Sequence, residues 1–274
     1  MSLPPERFEY VRRLVAAESA LALTEAKAYL VEARLAPIAE REGFDSVDEL
    51  VARLPAAAPS LRDDVVQAMT TNETSFFRDT HPFEALREVV IPERLAANGG
   101  RLSLWSAAAS TGQEAYSLAM LVADHFPAAQ VTILATDLSR DVLARAQQGL
   151  FNQLEVNRGL PVSMLVRHFE RDGTSWRVSP DIRRRVQFRQ LNLARPWTAT
   201  VPRTDVVLLR NVLIYFDTPA KQAVLGQVAR VLAPGGVLFM GGTETTYGLD
   251  EGWQCVRVGR TSFYRPARTV GAQR

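Results

Sequence analysis

Residues 103–118 read SLWSAAASTGQEAYSL, and this stretch decides the fold. The apolar run Leu102–Trp105 predicts a buried strand. Small residues from Ser106 to Gly112 then predict a tight turn, and from Glu114 onward apolar residues recur at helical spacing. A strand, a tight turn and a helix form the unit that holds ligands in open α/β sheets. Because the turn has so few bulky side chains, its backbone can approach a ligand closely.

The turn does not carry the signatures of two common nucleotide sites. Neither G-x-G-x-x-G nor G-x-x-x-x-G-K-[ST] occurs in it. It carries the carboxylate of Glu114 instead, which suits a cationic ligand better than a pyrophosphate. S-adenosylmethionine (SAM), a sulfonium with an amino group, meets that requirement. The helix dipole alone also favours a carboxylate in a first turn, so Glu114 has a purely structural explanation as well.

The rest of the chain divides into a helical part and an alternating part. Apolar residues within residues 1–70 recur at helical spacing. From about residue 80 onward strands alternate with helices, which predicts an open, mostly parallel sheet. The predicted strands are Leu102–Trp105, Val131–Thr136, Val186–Leu191, Asp205–Arg210 and Gly236–Met240. The pair Asp172-Gly173 is a strong hairpin signal and interrupts the alternation.

Composition narrows the class of protein. A hydrophobic content of 47% with 23% charged residues is typical of globular domains. No apolar run reaches the roughly 18 residues that a membrane span needs, and the opening segment has no hydrophobic signal region, so we expect a cytoplasmic protein without membrane insertion. Cys255 is the single cysteine, which excludes an internal disulfide and a thiolate metal cluster. The histidines lack metal-ligand spacing, and no metal site is expected.

Charge is unevenly distributed along the chain. Residues 1–69 hold 8 Lys/Arg against 12 Asp/Glu, a balance of −4. Residues 158–195 hold 9 Arg against 3 acids, a balance of +6. A basic segment this short could meet an acidic protein surface or nucleic acid. It could equally be a solvated ribbon that binds nothing.

Asp137 ends the apolar run of the second predicted strand. An acid at the carboxyl end of such a strand lies where it can hold a ribose by two charge-assisted O–H···O⁻ bonds. The alternative is that Asp137 caps the helix predicted to begin near Arg140.

Six segments of this chain resemble the chemotaxis receptor methyltransferases of the CheR family, which methylate glutamate side chains. The segments occur in the same order as in the family, and the resemblance as a whole covers about residues 8–265. The segments are TTNETSFFR (70–78), WSAAASTGQEAYS (105–117), ATDLS (135–139), LNL (191–193), RNVLIYF (210–216), and PGG (234–236) followed by GGTE (241–244). Gln113 and Ala115 depart from the commoner Glu and Pro.

The resemblance implies an α/β fold, in which a Rossmann-like sheet of a SAM-dependent methyltransferase carries a small antiparallel β-subdomain and follows an all-α N-terminal domain. We expect the helical domain in residues 1–70 and a linker that contributes to the site in 71–80. The SAM-binding domain is expected in 81–265, with the β-subdomain at 158–189. Residues 266–274 are expected to be a disordered tail.

The resemblance also implies a set of cofactor contacts for SAM and its product S-adenosylhomocysteine (SAH). Glu114 is expected to face the methionyl end. Asn192 and Leu193 resemble the residues that bracket adenine, since an amide can pair with its edge while Leu packs on its face. Asn211 and Val212, two further expected cofactor contacts, begin the segment in which amine methyltransferases carry the motif Asn/Asp-Pro-Pro-aromatic. The absence of that motif here argues against nucleic-acid amino groups as the substrate.

Arg78 and Tyr215 are the predicted catalytic residues. Asn72 and Thr74 resemble cofactor contacts, and Arg78 resembles a cation beside the reacting methyl group that also contacts the cofactor. An arginine fork can position a substrate carboxylate. Without the resemblance this segment reads equally well as an interdomain linker with a surface arginine. Tyr215 resembles a wall or hydroxyl donor of the substrate channel, although an aromatic in an apolar run is commonly core.

The implied partner is the cytoplasmic helical domain of a chemoreceptor. The family's second helix usually presents a basic face; here Arg34 matches, but Ala36, Pro37 and Ile38 follow it. The short turn 171–175 resembles members that do not grip a receptor's C-terminal pentapeptide, so we expect direct docking of a monomer.

Two other functions remain open at this stage. The same fold could methylate another protein of a non-flagellar signalling array, or RNA. The chain could also be a non-catalytic SAM-binding regulator. The presence of both Arg78 and Tyr215 argues against a regulator, because ligand binding alone would need neither.

Overall fold

The computed structural model describes residues 3–267 and begins with the helical domain. Its helices are α1 (Pro5–Ser19), α2 (Ala28–Arg41), α3 (Val47–Arg53) and α4 (Pro59–Ala68), with 3₁₀ turns at Glu25–Lys27 and Leu54–Ala56. Residues at helical spacing, such as Val11 and Val15 on α1, are fully buried against Leu35 and Leu50. The helices therefore share one core of their own, as their periodicity predicts.

The remaining elements alternate along the chain. The helices are α5 (His81–Ala85), which continues through a π-helical turn at Leu86–Val90 into α6 (Ile91–Ala97), then α7 (Gln113–His125), α8 (Arg140–Gln148), α9 (Gln153–Asn157), α10 (Val162–His168), α11 (Pro180–Arg183) and α12 (Thr218–Val231). The strands are β1 (Arg101–Ala107), β2 (Gln130–Asp137), β3 (Leu150–Phe151), β4 (Phe169–Asp172), β5 (Ser175–Val178), β6 (Val186–Gln190), β7 (Thr204–Leu209), β8 (Leu232–Met240), β9 (Trp253–Val258) and β10 (Thr261–Pro266).

The main sheet has the strand order β6-β2-β1-β7-β8-β10-β9. The first five strands in this order, β6, β2, β1, β7 and β8, run parallel to one another. Strand β10 pairs antiparallel with β8 and with β9. The predicted Rossmann-like fold after an all-α domain is confirmed, and β9 and β10 are strands that the sequence did not predict. Strand β1 lies between β2 and β7, so the strand order reverses direction at β1. The carboxyl ends of these strands therefore frame the crevice in which open α/β sheets bind ligands.

Both faces of the sheet are covered, which explains its apolar strands. All six residues of β7 are buried. Along β1, Leu104 packs into one core cluster and Trp105 into another on the opposite face. Alternate side chains thus enter different cores, as expected for parallel strands with helices on both sides.

The small antiparallel sheet has the order β3-β5-β4. Asp172 pairs with Ser175 at the hairpin that Asp172-Gly173 predicts. The bounds differ from the expected 158–189, because Leu150–Phe151 also belongs to this sheet and Val186–Gln190 belongs to the main sheet. A strand of two residues is too short for periodicity to detect.

The first two residues of the expected tail, Pro266 and Ala267, belong to the folded domain. Pro266 pairs with Trp253 at the end of β10, and the N–H of Ala267 donates to the carbonyl of Gly252 at 2.7 Å. Residues 268–274 of the predicted tail lie outside the described residues. Within residues 3–267 no helix combines the length and the apolar character that a membrane crossing requires.

The 70–80 segment is held against the β-subdomain by aromatic packing. The ring of Phe76 meets those of Phe151 and Phe169 edge-on, with centroids 5.0 and 5.6 Å apart. Gly159 has φ +88°, and a Cβ there would lie 2.1 Å from the carbonyl oxygen of Phe76. Glycine at 159 therefore permits the close approach that fixes this segment over the end of the sheet.

Candidate active site

A cleft lies at the carboxyl ends of β1, β2 and β7. The structure brings all ten predicted site residues to its lining, although they come from five separate segments of the chain. These residues are Asn72, Thr74, Arg78, Glu114, Asp137, Asn192, Leu193, Asn211, Val212 and Tyr215. Asn72 is exposed, whereas Thr74 and Arg78 are half-buried.

The turn after β1 is tight and forms the floor of the cleft. Ala108 and Ser110 have φ of +67° and +51°, and Gly112 has φ +95°. A Cβ on Gly112 would lie 3.0 Å from the Cβ of Ala146, so only glycine suits this position. The hydroxyl of Ser110 donates to the carbonyl of Asn72 at 2.7 Å, which ties the turn to the 70–80 segment.

Asp137 is buried at the end of β2. One carboxylate oxygen accepts from the N–H of Ser110 at 2.8 Å and the other from the N–H of Ser139 at 3.1 Å. Burial raises the pKa of Asp137, and the backbone N–H bonds from Ser139 and Ser110 oppose that rise. The alternative of a capping role is wrong, because Ser139 is the N-cap of α8 and accepts from the N–H of Val142.

Glu114 already has partners within the protein. Its Oε1 accepts from the hydroxyl of Ser106 at 2.8 Å, and its Oε2 accepts from Nη1 of Arg210 at 3.0 Å. The sequence alone predicts that the Glu114 carboxylate needs a cationic ligand, whereas in the structure Arg210 already supplies a cation. The sequence does not identify Arg210 as a partner, since that pairing depends on where β1 and β7 end.

Arg210 follows β7 directly and joins several parts of the site. Its Nη2 donates to the carbonyl of Arg78 at 2.9 Å and to Oδ2 of Asp79 at 2.7 Å. Its guanidinium carbon lies 5.9 Å from the centroid of the Phe83 ring. No role was predicted for Arg210, although it stands in the RNVLIYF segment.

Asn192 and Leu193, the two residues expected to bracket adenine, differ in the groups they present to the cleft. Leu193 is buried and offers an apolar wall. The amide of Asn192 donates to the carbonyl of Glu18 at 2.6 Å and accepts from the N–H of Ala194 at 2.9 Å. Asn192 therefore anchors the end of α1 to the cleft, and one amide hydrogen and one lone pair remain for a ligand.

Glu244 fixes the loop that carries Asn211 and Val212. Its Oε2 accepts from the N–H groups of Asn211 and Gly241, both at 2.7 Å, and its Oε1 accepts from those of Val212 at 3.1 Å and Ile214 at 3.2 Å. Asn211 has φ +58°. The GGTE segment belonged to the family pattern, but the sequence did not indicate that its acid grips this loop.

Arg78 and Tyr215 line the cleft from two different segments, the 70–80 segment and the loop after β7. Nη1 of Arg78 is 3.4 Å from the carbonyl of Glu73, a weak contact that leaves most of the guanidinium free. Tyr215 ends a 3₁₀ turn (Leu213–Tyr215), is half-buried, and has Nζ of Lys27 5.7 Å from its ring centroid. Its side chain lines the cleft rather than filling the core.

Comparisons with known proteins agree with the sequence segments. Residues 6–70 match the family described as "CheR methyltransferase, all-alpha domain", and residues 72–261 match "CheR methyltransferase, SAM binding domain". The chain is 43% identical to Chemotaxis protein methyltransferase 1 of Pseudomonas aeruginosa, over 97% of this chain and 99% of that protein. It is 41% identical to Chemotaxis protein methyltransferase Cher2 of Pseudomonas putida, over 94% and 97%.

The chain also has distant similarity to solved methyltransferase structures. The magnesium protoporphyrin IX methyltransferase of Synechocystis with bound SAM has a TM-score of 0.38 and 14% identity, covering 80% of this chain and 96% of that chain.

Proposed function

The chain belongs to the CheR family of SAM-dependent chemotaxis protein methyltransferases, and from this premise we propose that it methylates glutamate side chains of a chemoreceptor, giving glutamate methyl ester and SAH. One observation carries the proposal: Arg78, a cation suited to a carboxylate, and Tyr215 line the same cleft as the residues proposed to hold the cofactor. A site that only bound SAM would not need the two of them.

The chemistry of the cleft fits SAM. Asp137 is a buried carboxylate whose oxygens have lone pairs beyond those bonded to Ser110 and Ser139, and ribose hydroxyls can donate to them. Glu114 places a second carboxylate in the cleft for the cofactor's ammonium group. Leu193 offers an apolar face to adenine, and Asn192 keeps one donor and one acceptor for its edge.

The reaction needs positioning more than proton transfer. When bound, SAM supplies a methyl group on a sulfonium, which is transferred to a nucleophile. A glutamate carboxylate has a reference pKa of about 4.3 and is ionised at neutral pH, so no general base is required. Among the described residues that line the cleft there is no histidine, which is consistent with this chemistry. Arg78 would orient the substrate carboxylate, and Tyr215 would exclude water beside it.

The proposal is tested by incubating the protein with radiolabelled SAM and the cytoplasmic domains of candidate receptors, followed by peptide mapping. Label on glutamate that base releases as volatile methanol identifies a methyl ester and distinguishes it from a stable N-methyl group. Receptor domains whose mapped glutamates are changed to alanine serve as the matched control. If label enters RNA or a non-receptor protein and no receptor domain is labelled, the proposed substrate is wrong.

A further inference from the structure

Arg210 joins the cofactor side of the cleft to the loop that carries Arg78, and we infer that it is a positioning residue for Arg78. This inference rests on the proposed function. Arg210 donates to Glu114 at the start of α7 and to the backbone carbonyl of Arg78 itself. One guanidinium thus holds together two segments that contribute different parts of the proposed reaction.

Arg210 is costly to bury, which argues for a specific role. Its side chain is 1% exposed, and it pairs with Glu114 at 3.0 Å and with Asp79 at 2.7 Å. Its Nε has no partner within the described residues. Buried ion pairs seldom stabilise a fold more than apolar residues of similar size would, because desolvation offsets their attraction. The contacts of Arg210 therefore matter more for geometry than for stability.

The loop held by Arg210 is strained. Phe77, Asp79 and Thr80 have φ of +45°, +66° and +50°. Positive φ is unfavourable for non-glycine residues and most unusual for a β-branched one such as Thr80. Such strain persists only where the surroundings enforce it. The bonds from Arg210 to the carbonyl of Arg78 and the carboxylate of Asp79 lie within this strained stretch and enforce its course.

Arginine suits this task better than lysine does. In the planar guanidinium of Arg210, Nη1 donates to Glu114, while Nη2 donates to Asp79 and to the carbonyl of Arg78. A lysine ammonium is a single point and cannot keep both directions at once. Arg210→Lys should therefore preserve a positive charge in the cleft but release the Arg78 loop.

A buried arginine at the other end of β7 supplies a matched control. The side chain of Arg94 is 7% exposed, compared with 1% for that of Arg210. Arg94 pairs with Asp205, near the amino end of the strand and away from the cleft. Arg94→Lys therefore measures what the loss of a buried arginine fork does to folding alone.

The test is a double-mutant cycle on methyl transfer to the receptor. We expect Arg210→Lys to lower kcat at least tenfold, with a smaller change in SAH affinity by calorimetry, whereas folded Arg94→Lys keeps the wild-type kcat. Since Arg210 acts through Arg78, the double variant Arg78→Ala/Arg210→Lys should be about as slow as Arg78→Ala alone. If the two losses multiply, or if Arg210→Lys loses SAH affinity as much as kcat, the inference is wrong.

A second variant covers a failure of Arg210→Lys to fold. The side chain of Asp79 is 40% exposed, so Asp79→Asn should fold while removing one charged partner of Arg210. We expect Asp79→Asn to lower kcat less than Arg210→Lys does, and to lower it no further when Arg78 is already alanine. If the losses from Asp79→Asn and Arg78→Ala multiply in the double variant, the inference is again wrong. Wild-type transfer is the reference: if the wild type methylates no receptor glutamate, both proposals fail, whereas multiplying losses with an active wild type reject only the role of Arg210.

Discussion

A buried carboxylate must compensate for lost hydration, and Asp137 does so with backbone N–H groups rather than a cation. We predict that Asp137→Ala weakens SAH binding by roughly 1.5–3 kcal/mol, the range for a hydrogen bond to a charged group. Calorimetry with SAH on the folded variant gives this value. Asp141→Ala, on an exposed position of the adjacent helix α8, is the control and should bind as the wild type does. Unchanged affinity in Asp137→Ala would remove this residue from the cofactor site.

The raised pKa of Asp137 has a consequence for the pH dependence of binding. In the proposed complex, ribose hydroxyls donate to the ionised form, so we expect a lower Asp137 pKa in the complex than in the free protein. Affinity is therefore fully present above the free-protein pKa and is lost as the pH falls through it, at a higher pH than for an ordinary aspartate. We predict an acid-side loss of SAH affinity in the wild type and a flat profile in Asp137→Asn, both by calorimetry. Parallel profiles for the two proteins would contradict the assignment.

Arg78 should affect turnover more than cofactor affinity, because its proposed partner is the substrate carboxylate. We predict that Arg78→Ala lowers the methylation rate at least tenfold, equivalent to about 1.4 kcal/mol of barrier, with SAH affinity reduced less. Arg78→Lys should restore the rate only partly, since a point charge lacks the fork. Initial rates with radiolabelled SAM give the comparison, and a wild-type rate in Arg78→Ala would exclude the role.

Some of these residues were predictable from sequence and their partners were not. The position of Asp137 follows from the end of an apolar strand, which local pattern reveals. The pairing of Glu114 with Arg210 joins residues 96 positions apart and depends on two strand ends meeting. The bond from Asn192 to Glu18 likewise depends on how the helical domain packs, which no motif encodes.

Among the elements, the loop after β7 depends on a single side chain, that of Glu244 in the loop after β8. Glu244 accepts four backbone N–H bonds, one of them buried and three part-buried, and glutamine would leave some of these donors without an acceptor. We predict that Glu244→Gln lowers the free energy of unfolding by about 1–3 kcal/mol, measured by urea denaturation. Asp217→Asn is the control, since asparagine replaces aspartate well at an N-cap. Equal stability of the two variants would contradict the structural role of Glu244.

The accuracy of prediction differed between elements for physical reasons. Strands β1, β2 and β7 have both faces covered and read as continuous apolar runs, so they were found. In β9 only Trp253 is buried, because the strand lies at the edge of the sheet, and its pattern is correspondingly weak. Antiparallel pairing of β9 with β10 also departs from the βαβ rhythm on which the prediction relied.

At the scale of the whole molecule, the helical domain is attached beside the cleft. The N–H of Ala22 donates to the carbonyl of Tyr215 at 2.8 Å, and Glu18 bonds to Asn192 and Arg195. On the other side Arg140 pairs with Asp64 at 3.0 Å. A receptor helix that reaches Tyr215 would therefore meet both domains at once, and Arg34 of α2 lies near this entrance.

Much of the positive charge of residues 158–195 is balanced inside the protein. Five of its arginines pair with acids, three of which come from outside the segment. The pairs are Arg158–Glu73, Arg167–Asp124, Arg177–Asp172, Arg184–Asp181 and Arg195–Glu18. The +6 balance from the sequence therefore overstates the field available to a partner. The other four arginines, Arg171, Arg183, Arg185 and Arg189, have no ion pair within the described residues. Arg185 directly precedes the edge strand β6, and Arg189 lies on it.

This edge of the molecule is where we expect electrostatic attraction of an acidic receptor bundle. Reversal of Arg183, Arg184 and Arg185 to Glu should slow association and raise the apparent KM for receptor at low salt, and added salt should shrink the difference from wild type. The control is the same charge change at the opposite end of the sheet and on α12, in the exposed residues Arg230, Arg257 and Arg260. If both triple variants raise KM equally, only net charge matters. If Arg183–Arg185 reversal leaves KM unchanged, this edge is a solvated rim and the helical domain around Arg34 carries the docking.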